Sequence, residues 1–193
     1  MDMKFLGFKE HILPMLKENL LLDYYQLKSS EINQHWFHNP DGIHGILHIK
    51  RVLLHSIILS QMEGLDEKDR ALLSYSALWH DIGRTYDGID DAHGLKSLEK
   101  MKKLKIRQGF LNEELGILKY VIKNHCIYDH SALYNIQDEP IQDKARAIRL
   151  LKLFKDADGL DRVRINDLDI DYLRSDSAKK LVIVAKEVLQ EIK

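Results

Sequence analysis

At 193 residues and 22.6 kDa the chain is long enough to bury one sizeable core. Apolar residues at 45% against 31% charged exclude a disordered composition. Twenty-nine Lys and Arg against 30 Asp and Glu leave a net charge of -1, which argues against a protein held on nucleic acid or anionic lipid by bulk charge.

Up to Pro14 the apolar residues are interrupted by Asp2, Lys9, Glu10 and His11, which is not a signal-peptide pattern. Phe5, Phe8, Ile12, Met15 and Leu16 recur at helical spacing, with Pro14 a kink or break. A second helix is expected from Leu20 to about Ile32. Asn39-Pro40-Asp41-Gly42 reads as a turn. Ile43, Ile46, Leu47, Leu53, Ile57 and Ile58 then mark a long helix ending near Gly64. Asp66 or a neighbour caps the next, Glu67 to Asp81, with Gly83 as its stop. Asp90 or Asp91 is expected to cap a helix to about Lys105.

Leu111, Leu115, Leu118, Val121 and Ile122 describe a further helix. The single cysteine, Cys126, excludes an internal disulfide framework and multi-cysteine zinc motifs, and it is expected to face away from His125. Pro140 is placed to open a helix to about Ala157, and the last helix runs from about Asp176 to Ile192. Within it lies the longest apolar run, Leu181 to Ala185, five residues and far short of the roughly twenty of a membrane span. The fold class is therefore all-α, one globular domain of seven or eight helices over residues 1–193, expected to be soluble and cytoplasmic.

Ten histidines raise the question of a site. His44, His48, Arg51 and His55 share one stripe of the helix after Gly42, at the border of its apolar face. His80 continues the Leu73, Ala77 face and is followed by Asp81. His125 extends the stripe of Leu111, Leu115, Leu118 and Ile122, and Asp158 extends that of Ala147, Leu151 and Phe154. Any one of these alone reads as a hydrogen-bonded core residue or a cap. Jointly, several helices each sending an imidazole or carboxylate inward is how metal sites are built in helical bundles, because buried carboxylates need cations. His48 to His80 and His93 to His125 both span 32 residues, but the flanking residues do not match and no repeat is implied.

The order of His48 with Arg51-Val52, then His80-Asp81, then Ala157-Asp158-Gly159-Leu160 resembles the H…HD…D signature of the HD-domain superfamily of all-α, metal-dependent phosphohydrolases. His93-Gly94 with Ser97, and Ile122-Lys123-Asn124-His125, resemble the extra histidines of members that hold two metals. The likeness covers about 41–164, with helices of 1–38 and 176–192 expected to pack on that core. It implies that His48, His80, Asp81 and Asp158 hold a first divalent metal, and that Asp81 bridges to a second completed by His93 and His125. His80 and Asp81 would form the catalytic pair, with a bridging water attacking phosphorus. Manganese, iron, cobalt, magnesium, nickel and zinc are not distinguished by such ligands.

The sequence departs from two subfamilies. Ile82-Gly83-Arg84 stands where ribosome-associated alarmone hydrolases carry an acidic pair, and no Gly-Tyr-Pro motif supports cyclic dinucleotide cleavage. What remains is hydrolysis of a phosphoester or phosphoanhydride, of EC 3.1 or 3.6 type, in a small phosphorylated metabolite such as a nucleotide. The alternatives are an HD-type di-iron oxygenase and a non-catalytic, metal-stabilised nucleotide-binding regulator.

Around the metals, Arg84 is a candidate phosphate clamp or a partner of Asp87, Asp90 or Asp91. Arg51 is expected to contact substrate or to orient Asp81 or Asp158, and His44, i-4 to His48, to support the ligands, with a role as ligand or proton relay as the alternative. Lys155 faces phosphate or solvent, and His55 packs or supports a ligand. His11, His35, His38 and His130 are assigned to surface or loops, and Asp161 is expected to pair with Arg162. The run of Lys96, Lys100, Lys102, Lys103, Lys105 and Arg107 reads as a solvated face.

Overall fold

A computed structural model describes residues 5–106 and 109–193, so Arg107 of the basic run lies outside the described residues. Among the described residues there are ten α-helices: α1 (Leu13–Glu18), α2 (Leu21–Ser30), α3 (Ile46–Met62), α4 (Glu67–Trp79), α5 (His93–Lys103), α6 (Asn112–Asn124), α7 (Asp129–Asn135), α8 (Lys144–Leu160), α9 (Asp176–Lys180) and α10 (Val182–Glu191). Among the described residues there is no strand, as expected, and no helix long and apolar enough to cross a membrane.

The ten replace the expected seven or eight for two local reasons. The short α7 falls in a stretch for which no helix was expected, and the last helix is broken at Leu181. There the Leu6 amide donates to the Lys180 carbonyl at 3.0 Å, so the N-terminal segment takes up an acceptor freed by the break. Other boundaries shift by a few residues. His44 precedes α3 rather than lying on it, because the turn from Asn39 continues to Gly45. Pro140 lies four residues ahead of α8, which is capped instead by Asp143 accepting from the Arg146 amide at 2.9 Å. Asp90 bonds the Ala92 amide rather than serving as the N-cap of α5. Asp66 caps α4 as expected, accepting from the Asp69 amide at 2.8 Å.

Helix α3 runs through the middle of the protein. From His48 to Ser60 every residue except Lys50 is buried, so the helix is enclosed on nearly all sides. It packs on α4 and α8, while α5 and α6 pair with each other and α6 closes onto α4 and α8. Helix α10 lies against the π-helical turn Phe8–Ile12 and the 3-10 turn Asp161–Ile165. One cluster of buried apolar side chains runs through all of these, from Ile12 to Val188.

Two glycines end helices for different physical reasons. Gly64 has φ +62 and forms a Schellman closure, with Leu65 N–H on the Ser60 carbonyl at 2.9 Å. Gly83, read from sequence as the same kind of stop, has no positive φ. Its role is close approach, since a Cβ there would lie 2.1 Å from the Ser97 amide nitrogen and 2.7 Å from the His93 carbonyl oxygen. The Gly83 N–H reaches Ser97 Oγ at 2.8 Å, and that hydroxyl donates to the His80 carbonyl at 2.6 Å. The turn after α4 is thus pinned on the first turns of α5. Gly83→Ala is expected to cost about 3 kcal/mol or more by overpacking, read as a lowered urea midpoint.

His55 on α3 is fully buried, and among the described residues neither ring nitrogen finds a hydrogen-bond partner. Burial pushes its imidazole down to about 4. An unfolded histidine protonates from about 6.5, so between those values the unfolded chain binds more protons and stability falls as pH falls. His55→Leu should remove on the order of 3 kcal/mol of that loss, measured as a flatter dependence of unfolding free energy on pH between about 6.5 and 4 than in the wild type.

Candidate metal centre

Five helices bring titratable side chains to one point. His48 comes from the first turn of α3, His80 and Asp81 from the end of α4, and His93 from the start of α5. His125 follows the last residue of α6, and Asp158 stands near the end of α8. All but Asp158 are buried; its side chain retains 32% exposure and so forms the open side.

Asp81 stands between two imidazole pairs. Its Oδ2 lies 3.4 Å from His48 Nε2 and 3.6 Å from His80 Nε2, which are themselves 3.1 Å apart. Asp158 Oδ1 completes that group at 3.4 Å from His48 and 3.8 Å from His80. The other oxygen, Asp81 Oδ1, lies 3.1 Å from His93 Nε2 and 3.9 Å from His125 Nε2, and those two nitrogens are 2.7 Å apart. All six side chains expected as ligands are therefore brought together. The two touching imidazole pairs are the two with 32-residue spacing, each formed across neighbouring helices.

The other ring nitrogens are already engaged. His80 Nδ1 donates to the Ala77 carbonyl at 2.9 Å and His125 Nδ1 to the Ile122 carbonyl at 2.7 Å. His93 Nδ1 donates to the Asp90 carbonyl. Each acceptor lies three residues earlier, and Ala77 and Ile122 belong to the last helical turns, whose carbonyls lack intrahelical partners. His48 sits inside α3, where the Gly45 carbonyl is taken by the Ile49 amide. Its Nδ1 is held instead by a side chain, Asp161 Oδ2, at 2.7 Å.

With each Nδ1 directed at an acceptor, four Nε2 atoms and three carboxylate oxygens converge, and the donor fixed on them from outside is Arg84 Nε, at 2.9 Å from Asp81 Oδ1. Such a set requires positive charge at two points, a proton or a cation at each. Separations of 2.7 to 3.9 Å bracket the edges of roughly 3.0–3.5 Å expected when ligands lie about 2.1 Å from one ion. Burial drives His80 down to about 3 and lowers His125, keeping both neutral as ligation needs. Burial also acts to raise Asp81, but His80, His125, His48 and His93 outweigh it and hold the carboxyl well below the usual range. The same balance holds Asp158 at about 2, through His80, His48 and His125. The residues fit divalent metal ions.

The surrounding residues are placed less as expected. Arg84 donates Nε to Asp81 Oδ1 at 2.9 Å and Nη1 to the Gly88 carbonyl at 3.0 Å, not to Asp87, Asp90 or Asp91. Arg51 reaches neither Asp81 nor Asp158; it grips Asp161 at 2.6 Å and the Ile192 carbonyl at 3.1 Å, behind His48. Asp161 thus pairs with Arg51 and Arg164, while Arg162 turns to Asp167. His44 bonds Asp87 at 3.2 Å and lies edge-on to His48. Lys155 is committed to the Ile127 carbonyl at 2.6 Å and Asp129 at 2.7 Å. Lys96 pairs with Asp90 and Lys100 with the Trp36 carbonyl, while Lys102, Lys103 and Lys105 are exposed. His11, His35, His38 and His130 are exposed.

A cleft of about 960 Å³ opens beside the centre, lined among others by His125, Asp158, Lys155, Tyr128, Tyr172 and Arg174. Arg174 grips Asp129 at 2.8 and 3.0 Å and, through its amide and guanidinium, Asp156. Sequence reasoning missed this wall and the role of Asp161. The signal for Asp161 was its position one turn after Asp158.

A family model of the HD domain matches residues 45–163. The chain belongs to the HD domain family. HD domains bind divalent metals and are generally metal-dependent hydrolases. No curated protein and no solved structure gives a match.

Since Asp161 fixes the ring of His48 and neutralises Arg51, its loss acts twice. In Asp161→Asn, metal affinity is expected to fall about 10–100-fold, measured by chelator competition. The variant should also melt lower, because Arg51 keeps a buried charge with a neutral partner.

Proposed function

We propose that this HD domain protein is a metal-dependent phosphohydrolase that cleaves a phosphoester or phosphoanhydride in a small phosphorylated metabolite, a nucleotide above all. The observation that carries the reading is Asp81, one buried carboxylate with an imidazole pair on each oxygen. His48, His80, Asp81 Oδ2 and Asp158 would hold one divalent ion, and Asp81 Oδ1, His93 and His125 another. Such ions supply a water activated near neutral pH and neutralise charge on phosphoryl oxygens.

The chain's own part is orientation and access. Asp161 and the Ala77, Asp90 and Ile122 carbonyls keep every Nδ1 protonated and every Nε2 turned inward. Asp158 is the open member of the set, so the phosphoryl group approaches from its side, where the cleft lies. Arg84, on Asp81 Oδ1, is the guanidinium nearest the centre and suits a phosphate oxygen that displaces one of its present contacts. Tyr128 and Tyr172, both well exposed, offer ring faces at the cleft for a planar base.

The test is release of phosphate or pyrophosphate from a panel of nucleotides and sugar phosphates with manganese, cobalt, iron, magnesium, nickel or zinc. Metal-stimulated turnover is expected, abolished by chelator. In Asp81→Asn it should drop by more than the roughly 100-fold that loss of an outer hydrogen bond costs. Oxygen-dependent oxidation of an iron-loaded protein without hydrolysis would replace this reading by an oxygenase. Tight nucleotide binding without turnover would replace it by a regulator.

A further inference from the structure

The two halves of the centre are unequal in donors. The Asp81 Oδ2 side has four, from His48, His80, Asp81 and Asp158, whereas the Asp81 Oδ1 side has three. A four-coordinate ion there lacks one ligand from the protein. One ring nitrogen from each of His93 and His125 and the Cys126 sulfur all lie within 4.8 Å of one another. This overturns the expectation that Cys126 faces away from His125. Helix α6 ends at Asn124, and His125 and Cys126 lie in the turn that follows it.

Cys126 is half-buried and free, its thiol donates to the Asp91 carbonyl at 3.2 Å, and it lines the cleft. We infer that Cys126 is the fourth ligand of the second position, making it a mixed site of two imidazoles, one carboxylate oxygen and one thiolate. Nitrogen and sulfur around a tetrahedral zinc ion lie about 3.6 Å apart, so a rotation about the Cys126 Cα–Cβ bond is the adjustment required. On binding, the thiol proton passes to solvent and the Asp91 carbonyl loses its donor. The first position, with imidazoles and carboxylates, accepts hard and borderline ions. The second, with sulfur, selects zinc, cobalt or ferrous iron over magnesium and manganese. The inference rests on the two-metal reading above and adds to it the identity of a ligand and the kind of metal.

Cobalt(II) titration of the metal-free full chain tests it without reference to activity. Two equivalents are expected to bind, one of them bringing a sulfur-to-cobalt charge-transfer band in the near ultraviolet. Cys126→Ser should lose that band while keeping the d–d absorption of the other site. Alkylation of Cys126 by iodoacetamide should slow at least about tenfold with two equivalents of cobalt bound, and His93→Ala should abolish that protection. Two equivalents bound with no band, and Cys126 alkylated at the metal-free rate, would overturn the assignment and leave the two-metal reading standing. Fewer than two equivalents in the wild type would overturn both.

Discussion

A carboxylate removed from water is held by whatever positive charge its surroundings can gather, and Asp81 is the buried carboxylate around which this centre is arranged. It is buried at the junction of α4 and α5, with an imidazole pair on each oxygen. Desolvation of a charge in a medium of low polarity costs several kcal/mol, so the protein must bring compensation from several directions. The ends of α3, α4, α5 and α6 that converge here each carry an imidazole toward it, while α8 adds a second carboxylate, Asp158. Glycine at position 83 lets the turn bearing Asp81 come close enough to α5 for His93 to take part.

The placement of ligands at helix ends has its own chemical logic. Last-turn carbonyls have no helical donor, and an imidazole just beyond the helix can donate Nδ1–H to the carbonyl three residues back. That bond fixes both the tautomer and the ring direction, and leaves Nε2 for a metal. His48 has no such carbonyl, and its orientation depends on Asp161, which then needs Arg51 and Arg164 for its own burial. One ligand in the first turn of a helix, with no free carbonyl behind it, therefore draws in three further charged residues and ties the centre to the Ile192 carbonyl. The cleft wall is set by a second network of the same kind, in which Arg174 joins Asp129 and Asp156 and Lys155 completes the pairing.

Helical periodicity, the caps at Asp66 and Gly64, and the inward direction of His48, His80, His125 and Asp158 are all local properties, and all were legible in the residues. The spacing of apolar side chains decides which face of a helix is buried, and a donor on that face must end up inside. The family likeness, carried by the order of a few histidines and aspartates, added His93 and the sharing of Asp81.

Only the tertiary structure decided which oxygen of Asp81 faces which imidazole pair, that Arg51 serves Asp161 behind His48 and neither Asp81 nor Asp158, and that Cys126 lies with His93 and His125. It also decided the break at Leu181, through the Leu6 contact from the other end of the chain. These depend on segments distant in sequence, on the rotation of helices about their axes, and on turns where the 100° rule no longer holds. Periodicity fixes a direction within one helix; partnership between side chains needs the positions of two.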